Sequence, residues 1–223
     1  MQPAGKILTY QELLTIASGE NQEALVNLNE VCPALKCQYE KMDMLPFVGD
    51  NIFVRKLVAD KLAKVQLSLQ KINPQYQLKI VYGYRHPAIQ QQYFAKQKEI
   101  LKLEKPDLLE LELNSLTHNF VAVPEVAGHP TGGAIDLTIT TASGDLDMGT
   151  KIADFSDNEK IKTYSEKISA EQLVNREILL KAMLAENFVP FYGEWWHFSY
   201  GDKEWAYFNN QTTSLYSPLE FKI

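Results

Sequence analysis

The sequence predicts an α+β fold: a small, mainly antiparallel sheet packed by helices, in one domain spanning residues 1–223. Three observations carry this reading. Val54, Leu57, Val58, Leu62, Val65, Leu69 and Ile72 recur in steps of three and four, which is one apolar face of a helix. Directly after it, Leu78, Ile80 and Tyr82 alternate with Lys79, Val81 and Gly83, the period of a half-buried strand. A second alternation, Gly133 to Thr140, sets Ala134, Asp136 and Thr138 against Ile135, Leu137 and Ile139, giving one polar-lined face and one core face. No internal repeat, low-complexity segment or linker divides the chain.

The other elements follow from local signals. Thr9 and Glu12 form a capping box that opens a short helix ending near Ser18-Gly19. Met42 to Asp50 reads as irregular, broken by Pro46 and Gly49. Asn51 is placed to cap the long helix, which stops before Asn73-Pro74. Pro87 suits the first turn of the next helix, so Arg85 sits at a strand-to-helix corner. Lys102 to Phe120 is charged, Leu-rich and helix-compatible, and Phe155 to Glu166 is a polar loop. Ser169 and Gln172 open a further helix, apolar over much of its circumference and therefore expected at the centre of the molecule. Phe188 to Phe191 and Glu194 to Tyr200 read as short strands. Gly201-Asp202 is a hairpin signal leading to Trp205 to Phe208, and the polar tail from Asn209 is expected to wrap the surface.

Charge and composition narrow the partners. Lys plus Arg is 22 and Asp plus Glu is 28, a net charge of −6 with no compensating basic run, which does not suit a nucleic acid backbone. No apolar run approaches the length of a bilayer span. The stretch MQPAGKILTYQELL has no apolar signal-peptide core, and Cys32 and Cys37 make neither a disulfide framework nor a C-x-x-C pair. A cytoplasmic protein with reduced thiols is the expectation.

Two late stretches carry the chemistry. GHPTGGAIDLTI, Gly128 to Ile139, places His129 and Asp136 either side of a glycine-rich run, and GEWWHFS, Gly193 to Ser199, adds Glu194 and His197. Zinc takes imidazole nitrogen and carboxylate oxygen, and a catalytic site uses three such ligands and leaves one position for water. His129, Asp136 and His197 can fill the three, with Glu194 the spare acid. Taken singly, His129 and Asp136 fit a tight turn feeding a strand better than a metal site, and Glu194 and His197 could be incidental to a core of Trp195, Trp196 and Phe198. Glu194 and His197 are three apart, so on a regular strand they would face opposite ways. Both reach one site only if the chain turns near Gly193 or Glu194 lies outside the strand. His86 and His118 have no partner at a metal-ligand spacing.

AGHPTGGAID, Ala127 to Asp136, followed by EWWH, Glu194 to His197, resembles the S-x-H-x-x-G-x-A-x-D and E-x-W-H signature of the zinc D,D-peptidases that include the VanX-type D-alanyl-D-alanine dipeptidases. Tyr82 to Arg85 resembles the G-Y-R at that family's catalytic arginine, and DMGT, Asp147 to Thr150, resembles its dipeptidase branch. The family serine is Ala127 here, and Asp154 falls one residue later after Met148 than in the enzymes it resembles.

The resemblance implies one Zn²⁺ per chain on His129, Asp136 and His197, Glu194 as the proton carrier, and Arg85 on the peptide carbonyl oxygen. It further implies Asp154 and, on a looser match, Tyr39 on the substrate amine, with a free D,D-dipeptide as substrate. A D,D-carboxypeptidase trimming peptidoglycan stem peptides would share the zinc residues. A non-catalytic peptidoglycan-binding module would have lost a ligand or Glu194, and none is lost.

Overall fold

The computed structural model describes residues 5–223. Thr9 accepts from the Glu12 amide and closes a capping box over α1 (Tyr10–Leu14), a helix shorter than the sequence implied. β1 (Leu25–Asn27) runs straight into α2 (Leu28–Val31), capped by Asn27, and β2 (Lys36–Cys37) follows. The segment expected to be irregular holds a single turn, α3 (Leu45–Val48), with Pro46 in its first turn, where proline needs no amide partner.

The long helix starts later than the apolar pattern indicates. Phe53–Arg55 is a strand, β3, and α4 begins at Lys56 and ends at Ile72 with Arg55 at its N-cap. Asn51 does not cap it: its side chain accepts from Asn27 and donates to the Val48 carbonyl. β3 pairs with β1, a non-local partner that local periodicity cannot reveal. β4 (Gln77–Tyr82), α5 (Pro87–Glu104) and α6 (Glu110–His118) come next. β5 (Ala134–Thr141) and β6 (Gly144–Asp145) form the hairpin around Ser143.

α7 (Ala170–Ala185) has the expected capping box at Ser169. It lies against α4 on one face and leaves Val174 and Leu184 exposed on the other, so it is a flanking helix and not the central one. β7 (Val189–Pro190) and β8 (His197–Ser199) complete the sheet. The anticipated final hairpin is instead a helix, α8 (Lys203–Phe208), because Asp202 turns its carboxylate onto the Trp205 amide and acts as an N-cap. The tail is more than a wrap: Tyr216 is buried and Thr213 bridges Ala17.

The main sheet has the order β2-β4-β5-β8-β7, with β6 on β5. Every pairing is antiparallel except β2 with β4. Its core face carries Leu78, Ile80, Ile135, Leu137, Ile139 and Phe198, packed on Val58, Leu62, Val65 and Leu69 of α4 and Leu179 and Met183 of α7. The opposite face of β4 and β5 is also covered, so Tyr82, Asp136 and Thr138 are buried. No helix among the described residues is long and apolar enough to cross a membrane.

Candidate active site

Strand register brings the two late motifs together. Asp136 stands opposite Tyr82 on β4 and opposite His197 on β8, so three adjacent strands deliver three side chains to one point. The register shifts between Ile80 and Tyr82, a bulge that re-aims the end of β4 toward this point. Glu194 lies outside β8, in a turn closed by its amide on the Phe191 carbonyl and by the His197 amide on its own carbonyl. That turn removes the objection of opposite strand faces.

His129 enters from a single 3-10 turn, His129–Thr131, ended by Gly132 in the left-handed conformation at φ +73°. That backbone conformation calls for glycine, and a β-carbon there would also press on the end of the Leu25 side chain. The turn is held from below by Arg55, which is buried and donates through Nε to the Thr131 carbonyl at 2.7 Å.

The His129 ring nitrogen Nδ1 lies 2.8 Å from the Gly83 carbonyl, which fixes it as the donor and leaves Nε2 with a free lone pair. That Nε2 faces Asp136 Oδ2 at 3.4 Å, and His197 Nδ1 lies 2.9 Å from Asp136 Oδ1. One ligand atom from each of His129, Asp136 and His197 falls within 4.8 Å of the others. Two imidazoles and a carboxylate, with one histidine already oriented by a backbone carbonyl, are a donor set that suits zinc.

Burial sets the protonation of the triad. It lowers His129 to about 4, against the pull of Asp136, so that ring is neutral. Burial works the same way on His197, but its hydrogen bond to Asp136 prevails and lifts it to about 9. Burial would raise Asp136, yet both histidines together hold it well below the carboxylate range. Glu194 has no such partner, and burial raises it to about 7, a value suited to a proton carrier at neutral pH.

Arg85 is the most elaborately held residue of the site. Its Nε donates to the Tyr82 hydroxyl at 3.3 Å and Nη1 to Gln90 Oε1 at 2.8 Å. Its guanidinium lies 4.7 Å from the Tyr82 ring centre and 5.3 Å from that of Tyr93. Burial disfavours its charge, but Tyr82, Asp136 and Asp43 outweigh this and raise its pKa. Gln90 is fixed in turn by donating to the Ala122 carbonyl.

These groups open on a cavity of about 470 Å³ lined by Arg85, His129, Asp136, Glu194, Trp196 and His197. His118 at the end of α6, with Phe120, Val121 and Ala122 from the segment between α6 and the His129 turn, forms part of its wall. His118 is thus a wall residue, while His86 caps α5 and stacks on Phe47. Trp195 is buried behind the ligands and donates to Thr150.

The two residues assigned to the substrate amine are not among those that line the cavity. Asp154 sits between two lining residues, Ala153 and Phe155, but its own carboxylate accepts from the Ser156 amide at 3.2 Å. Tyr39 packs edge-on against Tyr82 with its hydroxyl buried and without a hydrogen-bond partner among the described residues. Sequence reasoning missed Asp43, Gln90, Asp202 and Glu204. Only Asp202 had a readable signal, as an N-cap three residues before Trp205.

Comparison with known proteins shows the family of the chain. The Peptidase_M15 family, described as D-ala-D-ala dipeptidase, matches residues 21–217. A D-alanyl-D-alanine dipeptidase from Synechocystis sp. is 28% identical, over 71% of this chain and 73% of the relative. Among solved structures, the LdcB LD-carboxypeptidase superposes with a TM-score of 0.47 at 19% identity, covering 86% of this chain and 77% of that one. A mutant of the vancomycin resistance D,D-pentapeptidase VanY in complex with Zn(II) superposes with a TM-score of 0.43 at 12% identity, covering 89% of this chain and 96% of that one. With the match running through both motifs and most of the fold, the chain belongs to the Peptidase_M15 family and is a metallopeptidase.

Proposed function

We propose that the chain acts as one zinc D,D-dipeptidase domain that hydrolyses D-alanyl-D-alanine to two D-alanines. The observation that carries this is the meeting of three zinc-type ligand atoms with a separate acid, Glu194, and a fixed cation, Arg85, in one cavity. Zinc on His129, Asp136 and His197 would supply a Lewis acid and lower the pKa of a water to near 7.

The protein's own groups do the rest. Glu194 takes a proton from the attacking water and returns it to the leaving amine, a transfer for which a pKa near neutrality is suited. Arg85 meets the carbonyl oxygen as negative charge develops there. Because Tyr82, Tyr93 and Gln90 already hold its guanidinium, little reorganisation is needed at that moment. Trp195 and Trp196 wall the ligands off from bulk water.

One observation keeps a D,D-carboxypeptidase as the second reading. A further cavity of about 270 Å³ shares Leu8, His118, Phe120, Phe155 and Phe191 with the first, leaving room for a longer substrate. One assay separates the two. Zinc-loaded protein is offered D-Ala-D-Ala, L-Ala-L-Ala and an N-acylated D-Ala-D-Ala. Cleavage of the free D,D-dipeptide alone is the expected result. Equal cleavage of the acylated peptide would replace the dipeptidase by the carboxypeptidase, and cleavage of none would remove both.

A further inference from the structure

Neither the stretch DMGT, Asp147 to Thr150, nor Arg176, the buried arginine of α7, lines the cavity, yet the two are joined. Arg176 Nε donates to the Met148 carbonyl at 2.8 Å. Asp147 is tied to the same helix: its carboxylate accepts from Gln172 Nε2 and its carbonyl from Asn175 Nδ2, both at 2.9 Å. Gly149, in the left-handed region at φ +87°, turns the chain. Thr150 Oγ1 then accepts the indole N–H of Trp195 at 2.8 Å.

The other two arms of the guanidinium go to the far end of the same loop. Nη2 donates to the Lys160 carbonyl at 3.0 Å and Nη1 to that of Lys162. Those carbonyls flank Ile161, whose own carbonyl accepts the Trp195 amide at 2.9 Å. The guanidinium also lies 5.6 Å from the Trp195 ring centre. Trp195 is thus held at its amide by one end of the loop and at its indole by the other, and Arg176 holds both ends. Arg176 forms no ion pair among the described residues, although a buried cation without an anionic partner is costly. What arginine supplies here is a rigid fork that reaches three carbonyls in three directions, which neither lysine nor an apolar residue can do.

Trp195 directly follows Glu194. The Glu194 carboxylate has neither a hydrogen bond nor an ion pair among the described residues, so its direction depends on its backbone and its packing. We infer that Arg176 is a positioning residue for Glu194, acting through Trp195, and that DMGT is the second half of the same clamp. This rests on the reading of Glu194 as the proton carrier. The guanidinium touches neither the cavity nor a metal ligand, so its removal should be felt in turnover and not in metal or substrate binding.

The experiment compares zinc-loaded Arg176→Met, Thr150→Val and Trp195→Phe on D-Ala-D-Ala, each alone and in a Glu194→Gln background. Arg176→Met should lower kcat about 10- to 100-fold, the scale of a misplaced catalytic group, with KM and zinc content unchanged. In Glu194→Gln the same substitution should cost almost nothing further, because the group it positions is gone. Thr150→Val and Trp195→Phe remove opposite sides of one hydrogen bond, so the pair should lose no more kcat than the worse of the two alone. Unchanged kcat in Arg176→Met, or an equal loss in both backgrounds, would overturn the inference; the equal loss marks a residue that only supports the fold. Full turnover in Glu194→Gln alone would remove the proton-carrier reading and the inference with it, a failure seen without any Arg176 variant.

A second measurement needs no turnover. In the metal-free chain, the indole N–H of Trp195 should lose its protection from solvent exchange in Arg176→Met. That of Trp205, which donates to the Asn187 carbonyl at 2.9 Å, should keep the wild-type rate and serves as the internal control. Equal loss at both indoles, or loss at neither, would overturn the clamp. If Arg176→Met does not fold, Thr150→Val, which removes one hydrogen bond at a half-buried side chain, carries both comparisons. A kcat in Thr150→Val equal to that of wild type would then overturn the inference.

Discussion

The Tyr82 hydroxyl donates to Asp43 Oδ2 at 2.9 Å, and the Tyr93 hydroxyl donates to the same oxygen. With its proton on Asp43, the Tyr82 oxygen presents a lone pair to Arg85 Nε. The two tyrosine rings that flank the guanidinium are therefore pinned by one carboxylate that touches neither metal ligand nor cavity. Asp43→Ala should lower kcat by about 10- to 100-fold, the scale of a misplaced catalytic group, with zinc content unchanged. Asp43→Asn can keep an acceptor at the same place and should lose less. Combining Asp43→Ala with Arg85→Ala should cost little more than Arg85→Ala alone, because both act through one guanidinium. Fully additive losses in kcat would show that Asp43 acts by some other route.

Glu194 should govern the acid limb of the pH profile. Burial raises it to about 7, and only its ionised form can accept a proton, so kcat/KM should fall tenfold per unit below that pH. Glu194→Gln should keep the metal and lose about 10²- to 10⁴-fold in turnover, the usual worth of a positioned proton carrier. An unchanged acid limb in that variant, measured on residual activity, would assign the limb to another group.

Zinc loading should release a proton. Asp136 raises His197 to about 9, so without metal that ring is charged at pH 7, and the same Nδ1 that meets Asp136 must be bare to ligate. Affinity should therefore rise about tenfold per pH unit between 7 and 9 and level off above. Chelator competition at several pH values measures this. His129→Ala and His197→Ala should each lose the metal and activity together, and full metal content in both variants would remove the triad from the site.

The metal motif was legible because its parts lie on strands whose register is set by the same alternation that marks them. Asp136 sits on the polar face of a readable strand, and His197 pairs with it directly. Local periodicity failed where pairing is non-local. Phe53–Arg55 continues the apolar rhythm of α4 yet pairs with Leu25–Asn27. Gly201-Asp202 satisfied a hairpin pattern, while the Asp202 side chain chose the Trp205 amide, and this concealed Glu204 at the start of a helix facing the cavity. Asp154 carries the right charge in the right loop, where it accepts from the Ser156 amide one position away from the lining residues Ala153 and Phe155. A loop has no period from which such an offset could be read.

Arg55 shows how far support for the site extends beyond its ligands. It is buried, with its amide donating to the Gly132 carbonyl and its Nε to the Thr131 carbonyl, so both contacts fall on the turn that presents His129. Its two Nη atoms reach Glu20 at 3.0 and 2.7 Å, and its guanidinium lies 4.8 Å from the Tyr216 ring centre. The fork therefore ties the turn to the N-terminal segment and the C-terminal tail at once. Arg55→Ala leaves the Thr131 carbonyl without its donor, which costs roughly 1–3 kcal/mol for a buried group, while the exposed Glu20 adds little to the loss. Lysine at this position cannot reproduce a planar fork with three directions of donation, so Arg55→Lys should recover only part of the loss. Because the contacts fall on the His129 turn, zinc affinity should fall along with stability, although Arg55 is not a ligand. Denaturant unfolding with and without zinc measures both effects. A loss below about 1 kcal/mol, the scale of an exposed pair, with unchanged zinc affinity would show that the turn holds its shape without Arg55.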